Sequence, residues 1–282
     1  MTTKFYLTCI FLCATCIINA QPSAALLRGD SLFRQGAYFE ASVEYERVLF
    51  NNSAAQENQH AINQKIQCLK QERQFTQAIN FIRANLHENM PDSTSYRLYY
   101  EQTLCTYLAG NFENALSVIE QIKLLHPSHA ADAQLLLVQI LSFNELQQWE
   151  KASGVYNALL SHYRHTDTVL SPYKNLPHLK SKDRAQWLST FIPGGGQFYA
   201  GKPLEALVTL AIQGAGIWFG IVSFQQHYYL GAWLAGAGLF GSFHMGGVRR
   251  SEVLAEQYNR KKISQFNEKV REGLLKMLAE QP

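Results

Sequence analysis

Aromatic residues recur at a fixed interval of 37 along the first half of the chain, as Tyr38, Phe75, Phe112 and Trp149. Three residues after each stands an alanine: Ala41, Ala78, Ala115 and Ala152. Four residues further on come Tyr45, Ile82, Ile119 and Tyr156, and three beyond those Val48, Asn85, Ile122 and Leu159. Only Asn85 breaks the last column. A small residue followed by apolar residues at +4 and +7 lies on one face of a helix. The alanine marks where a neighbouring helix must come close. A second helix precedes each of these, with Leu32, Leu69 and Phe143 at one common position. Gly36 and Gly110 stand just before the turn, where a positive φ is often wanted, and Arg73 and Gln147 hold the same place in the other two units. Self-similarity at such a period marks a repeat architecture, here helix, turn, helix.

After Ser161 the phase is lost. Ser171-Pro172 and Leu176-Pro177, with Lys174, Lys180, Lys182 and Arg184, read as a basic linker over 167–186. A glycine-rich turn follows, Pro193-Gly194-Gly195-Gly196, and then two apolar stretches. Leu204 to Phe224 holds one charge, Glu205, and Tyr228 to Val248 holds none beyond His244. As helices each is about 31 Å long, which matches a hydrocarbon core of about 30 Å. Three residues, Gln225-Gln226-His227, separate them, so the expectation is an antiparallel transmembrane hairpin over 187–248. The pairs Gly216 and Gly220, Ala232 and Gly236, and Ala237 and Gly241 are small residues spaced by four, which lets membrane helices approach closely. From Arg249 to the end, Leu254, Tyr258, Phe266, Val270, Leu274 and Met277 predict an amphipathic helix that lies on a membrane surface or returns to the repeats. The predicted fold class is all-α.

The first region resembles the tetratricopeptide repeat. Gly29-Asp30-Ser31-Leu32-Phe33-Arg34-Gln35-Gly36-Ala37-Tyr38-Phe39-Glu40-Ala41 is close to that family's consensus, and Pro127 falls where the family ends a repeat. The resemblance covers 22–166 in four units, each longer than the family's usual repeat. It implies a stack of helix pairs, each covering the next, with a groove lined by the first helices. The family's groove positions fall on Asn63, Gln67, Lys70, Arg97, Tyr100, Leu104, Tyr107, Leu137 and Asn144. Such a mixed polar and aromatic surface suits a protein or peptide ligand, or else is simply a solvated face. The family's carboxylate clamp is not reproduced by Asn63 and Gln67. The second region, 185–270, resembles an uncharacterised two-helix membrane domain with the motif P-G-x-G-Q-x-Y-x-G. Pro193, Gly194, Gly196, Gln197, Tyr199 and Gly201 match it, with Tyr258-Asn259 as the trailing Y-N.

Composition adds a compartment. Lys4 precedes an apolar run from Phe5 to Ile18 that ends in Ile18-Asn19-Ala20, the pattern of a secretory signal peptide over 1–20. An uncleaved anchor is the other reading, and acylation at Cys16 is disfavoured by the preceding Cys13-Ala14-Thr15. Of the five cysteines, Cys68 and Cys105 then remain; they sit at equivalent places in adjacent units, too far apart to be bridged. A cleaved signal peptide would put the repeats outside the cytoplasm, and the resemblance of the second region implies a bacterial envelope, so the expectation is that the repeats are periplasmic. Lysine and arginine at both hairpin ends favour the opposite side. A net charge of +3 is too small to argue for nucleic acid, and no zinc-finger spacing accompanies it.

Candidate chemistry is sparse. Gly196 to Lys202 has the spacing of a phosphate-binding loop, but Pro203 stands where a magnesium-binding hydroxyl is required and no strand precedes it. His126 and His129, and His162 and His165, have metal-ligand spacing without a carboxylate fixed beside them by the pattern. Glu205 and His244 are the ionisable residues of the apolar spans, and such residues are functional candidates by default. Both lie near the span ends and fall toward one membrane face, where snorkelling to the head groups also accounts for them. The expectation is a membrane-anchored scaffold that is not an enzyme and needs no cofactor. The alternative is a membrane-assembly or transport component acting through the hairpin.

Overall fold

The computed structural model describes residues 23–51, 54–162 and 172–279. The signal-peptide reading of 1–20, with Cys9, Cys13 and Cys16, lies outside them, as does His165. Every regular element among the described residues is helical. The chain divides into two compact units at His162.

Among the described residues the first unit holds eight α-helices: α1 (Ala24–Arg34), α2 (Tyr38–Phe50), α3 (Ala55–Gln71), α4 (Phe75–Asn85), α5 (Asp92–Leu108), α6 (Phe112–Leu125), α7 (Ala133–Glu145) and α8 (Trp149–His162). Each helix packs on the next along the chain, and the first helix of one pair also touches the first of the following pair, as α1 with α3 and α5 with α7. The 37-residue columns are the core of this packing. Ala41, Ala78, Ala115 and Ala152 are all fully buried, as are Tyr45, Ile82 and Ile119 beside them. Asn85 departs from its column because α4 stops there. Its amide donates to the Phe81 carbonyl at 2.8 Å, which satisfies an end-of-helix acceptor. Tyr45 lies against Gly29, where a Cβ would come within 2.8 Å of the ring. Its hydroxyl donates to Asp30 at 2.7 Å, and burial holds the phenol well above its ordinary range.

The turn inside every pair is three residues long and is built the same way four times. Gly36, Arg73, Gly110 and Gln147 all have positive φ, at +79°, +57°, +79° and +57°. The following N–H reaches back five residues each time: Ala37 to Leu32, Gln74 to Leu69, Asn111 to Thr106 and Gln148 to Phe143, at 2.8–3.1 Å. This is the Schellman closure of a helix end. The connections between pairs are less regular. The longest carries a 3-10 turn, Pro127–His129.

The second unit holds a 3-10 turn at Pro172–Lys174, then α9 (Lys182–Phe191), α10 (Gly195–Tyr199), α11 (Pro203–Gln225), the short α12 (Tyr229–Gly231), a π-helical segment Ala232–Gly238, and α13 (Leu239–Ala279). α9 packs on α13, α10 on both, and α11 on the π-helical segment and α13. Three expectations change here. Residues 182–186, read as linker, are the first turns of α9. Ser181 caps it by accepting from the Arg184 N–H at 3.3 Å. The break at Arg249 does not exist, because α13 runs unbroken for 41 residues. The second apolar stretch is not one regular α-helix. Residues Ala232–Gly238 run as a π-helix between the short α12 and α13. Among the described residues, α11 alone is long and apolar enough to cross a membrane.

The repeated closure makes a direct prediction. A side chain in the left-handed region costs roughly 1 kcal/mol, and glycine escapes most of this. Arg73→Gly and Gln147→Gly should each stabilise the first unit by about 0.5–1 kcal/mol, and Gly36→Ala and Gly110→Ala should destabilise it by a similar amount. No neighbour lies within 4 Å of a Cβ at Gly36 or Gly110, so the backbone alone sets the sign. Thermal unfolding of the full chain, followed by circular dichroism, checks it.

Candidate functional site

Two groups of side chains stand out, one in each unit. In the first, the predicted groove residues divide by role. Gln67 and Lys70 of α3 are already occupied: the Gln67 amide donates to Glu101 at 3.0 Å and the Lys70 ammonium donates to it at 2.7 Å. Lys70 and Glu101 are nearly out of solvent, with side chains 15% and 11% exposed. This ion pair joins the first helices of two successive units and sets their register. Asn144 is fully buried. Asn63, Tyr100, Leu104, Tyr107 and Leu137 are half-buried and Arg97 is exposed. Tyr100, Leu104 and Tyr107 follow one face of α5 and pack at the edge of a core of Val118, Ile119, Ile122, Leu135 and Val138. Burial raises the Tyr100 phenol above its ordinary value, with the neighbouring Glu101 carboxylate adding to the effect. The surface around Tyr100, Leu104, Tyr107 and Leu137 is therefore aromatic and apolar, with Arg97 exposed at its edge, while Gln67 and Lys70 of the predicted groove tie two successive pairs together through Glu101.

Glu101 escapes the sequence pattern because it sits on the mostly polar run of α5, where no period singles it out. The histidines also differ from expectation. His126 is buried, its Nδ1 is 2.5 Å from Asp92 and its Nε2 is 3.4 Å from the Ser95 hydroxyl. His129 lies flat on Tyr96, centroids 3.8 Å apart, with Nδ1 3.0 Å from Asp132. Carboxylates do stand beside both rings, brought from the start of α5 and the turn before α7. Among the described residues, no three His, Cys, Asp or Glu side chains gather closely enough to hold a metal ion. Cys68 and Cys105 are free and buried. Burial pushes both thiols up to about 12, so neither is a nucleophile near neutral pH.

In the second unit the glycine motif is the centre of the packing. Gly194 has φ +81°, and a Cβ on it would lie 2.6 Å from the Ala206 carbonyl, so the first turn of α11 rests directly on its backbone. A Cβ on Gly196 would lie 2.1 Å from the Ala185 carbonyl, 2.4 Å from the Ser189 hydroxyl and 2.6 Å from the Ser251 Cβ. α9, α10 and α13 thus meet at one point where only hydrogen fits. Gln197 is 1% exposed. Its Oε1 accepts from Ser189 at 3.1 Å and its Nε2 donates to the Gly247 carbonyl at 3.1 Å. The Ser189 hydroxyl in turn accepts from the Gly196 N–H at 3.0 Å. Gly201, φ +84°, closes α10 as Lys202 N–H returns to Gln197 O at 2.9 Å.

Tyr199 and the distant Tyr258-Asn259 converge on a residue that the sequence places in the linker, Lys180. Its ammonium donates to the Tyr199 carbonyl at 2.6 Å and stands 4.0 Å above the Tyr258 ring. Its backbone N–H and carbonyl are both held by the Asn259 amide, at 2.7 and 2.8 Å. The Tyr199 hydroxyl accepts from the Ser181 N–H at 3.0 Å. With Pro193 leading into Gly194, the motif residues form a clasp: Gly194 and Gly196 fit where a side chain would collide, Gln197 and Tyr199 hold backbone, and Gly201 supplies a left-handed turn. Ser189, Ser251 and Lys180 complete it.

Glu205 and His244 do not form a pair. The Glu205 carboxylate takes the Arg250 guanidinium at two points, 3.0 and 3.2 Å, because the planar fork of arginine fits a carboxylate and Arg250 faces it across α11 and α13. His244 instead stacks on Phe240, centroids 5.6 Å apart. An apolar groove of about 610 Å3 opens between α11 and the π-helical segment, lined by Gly216, Ile217, Gly220, Ile221, Ala232 and Phe240 among others.

Removing one partner of a nearly buried ion pair leaves the other charge uncompensated. Lys70→Met should therefore destabilise the first unit by about 3 kcal/mol, while Lys70→Met with Glu101→Leu should recover most of the loss. Denaturant titration of the two variants measures the difference. Gly196→Ala should disrupt the clasp at a cost of about 3 kcal/mol. Gly214→Ala, with nothing within 4 Å of its Cβ, should leave stability within about 1 kcal/mol of the parent. Limited proteolysis near Lys180 reports on both. No family model and no curated protein matches the chain, so the site stands on its own geometry.

Proposed function

We propose that this chain is a membrane-anchored scaffold of a bacterial envelope. In this reading a tetratricopeptide-type stack binds a protein or peptide through the α5 face, and the two apolar segments of the second unit hold it in a bilayer as a hairpin. The observation that carries the reading is the outward-facing apolar surface of α11. Ten large apolar side chains from Leu204 to Phe224 are each at least 40% exposed. Leaving that surface in water would cost about 1 kcal/mol per residue, in total about the whole stability of a domain. Lipid removes the cost. The α11 helix is about 35 Å long, enough for the hydrocarbon layer of about 30 Å.

The partner-binding part rests on Tyr100, Leu104 and Tyr107, an aromatic and apolar row left half-open on one helix face, with Arg97 at its edge. Extended or helical peptides dock on such rows through anchors at matching spacing. The signal-peptide pattern puts this face in the periplasm. A second reading, a membrane-assembly or transport component working through the apolar pair, is favoured by Gln213. This residue is 2% exposed in the middle of α11, and its side-chain oxygen meets no donor. Retention of the native phenotype after deletion of 22–160 would select this second reading.

Two measurements test the scaffold. The full chain should stay in the membrane pellet after an alkaline carbonate wash, and deletion of 204–248 should release it. A photo-crosslinking residue at Tyr100 should capture a discrete partner, and one at Leu124, which is exposed on α6, should not. Equal capture at both positions, or loss of none of it on Tyr100→Ala with Tyr107→Ala, would count against this face.

A further inference from the structure

The turn between α9 and α10 combines two properties that water does not explain. Its large apolar side chains point outward: Trp187, Leu188, Phe191 and Ile192 are 63%, 38%, 71% and 55% exposed. Its backbone, by contrast, is largely closed on itself. The Ile192 N–H donates to Leu188 O at 2.9 Å, Gly195 N–H to Ile192 O at 2.8 Å, Phe198 N–H to Gly194 O at 3.0 Å and Gly196 N–H to the Ser189 hydroxyl at 3.0 Å. Pro193 has no N–H to satisfy. A turn that satisfies most of its donors internally and turns apolar side chains outward is suited to a medium that offers few hydrogen bonds.

Contacts along α13 give the turn its depth. Lys180 pairs with Asn259, Lys182 with Glu256, Ala185 with Ser251, and Gln197, hydrogen-bonded to Ser189, with Gly247. α9 therefore descends antiparallel to α13, from its polar half toward its apolar half. The basic residues Lys180, Lys182 and Arg184 lie at or before its upper end and its aromatic residues at the lower. Phe191 and Ile192 lie beyond the level of Ser251, on the side of α13 that enters the apolar pair. Arg250 and Glu205 mark the polar boundary there. Tyr199 returns beside Ser181, so the chain goes down α9 and comes back up α10. α9 is about 15 Å long, half of what is needed to span.

We propose that α9 and α10 form a re-entrant wedge whose tip, Phe191-Ile192-Pro193, is seated among the lipid acyl chains of the leaflet next to Arg250, with Trp187 at head-group level. The inference rests on the reading of α11 as a membrane span. Bilayer lipid is the occupant because the apolar surface continues through Phe198 and Leu204, 50% and 78% exposed, onto the outward face of α11. Trp187 stacks on Phe191 with centroids 5.2 Å apart, so the two rings enter lipid already ordered. Tryptophan favours the interface, and the basic residues above it suit anionic head groups.

The test uses the full chain in phosphatidylcholine vesicles with bromine on the acyl chains. One protein carries Phe191→Trp with the four native tryptophans changed to phenylalanine, a second keeps Trp187 alone, and a third keeps Trp218 alone. Residue 191 and Trp187 should lose emission to brominated lipid, with 187 responding most to the shallowest bromines, and both should resist aqueous acrylamide. Quenching of Trp218 by lipid, while 187 and 191 respond only to acrylamide, overturns the wedge and leaves the anchor intact. If Trp218 is untouched by lipid as well, the anchor itself fails. Should Phe191→Trp not fold, the native Trp187 decides alone.

Discussion

A helix with an apolar side has to find cover for it, and each unit of this chain meets that requirement differently. In the first, the cover is the next helix pair. Ala41, Ala78, Ala115 and Ala152 remove side-chain bulk where the helices meet, so burial can be complete. No single pair could hold its fold, because the residues that stabilise it belong half to its neighbour. The Lys70–Glu101 pair adds direction to this non-directional force. Apolar faces alone would tolerate a slide of one helix over the next, whereas a nearly buried charge pair tolerates little.

The second unit begins from the same requirement but solves it with glycine rather than alanine. At Gly196 three helices approach until a single methyl group no longer fits. The backbone carbonyls and hydroxyls exposed by that approach then become usable, and Gln197, Ser189, Ser251 and Asn259 use them. This explains why a motif with so many glycines contains polar residues at fixed places and yet holds no concentration of reactive groups. Its residues recognise one another. The spacing that mimics a phosphate loop arises because Gly196 is needed for contact and Gly201 for a left-handed turn. Neither has the backbone context of an anion cradle.

Much of the first unit was legible because its determinants are periodic. A column of alanines and a turn position every 37 residues can be read without coordinates, and even Arg73 and Gln147 adopt the glycine conformation that their place demands. What escaped reading was aperiodic. Glu101 gains its role from a partner 31 residues away, and Lys180 from Asn259, 79 residues away. Lys180 was hidden further by its neighbours, since a run of basic residues reads as solvated surface. The π-helical segment was missed for a different reason. Hydropathy sums apolar residues over a window and says nothing of how the backbone hydrogen bonds are spaced, so a span and a π-helical segment score alike.

The continuous α13 has a mechanical consequence. A helix of 41 residues is a rod about 60 Å long, so a tilt of about 5° at one end moves the other by about 5 Å. Its polar half carries Asn259 and Tyr258, which grip Lys180, and its apolar half follows the π-helical stretch. A displacement of the apolar half is therefore carried along the rod to the residues that grip Lys180.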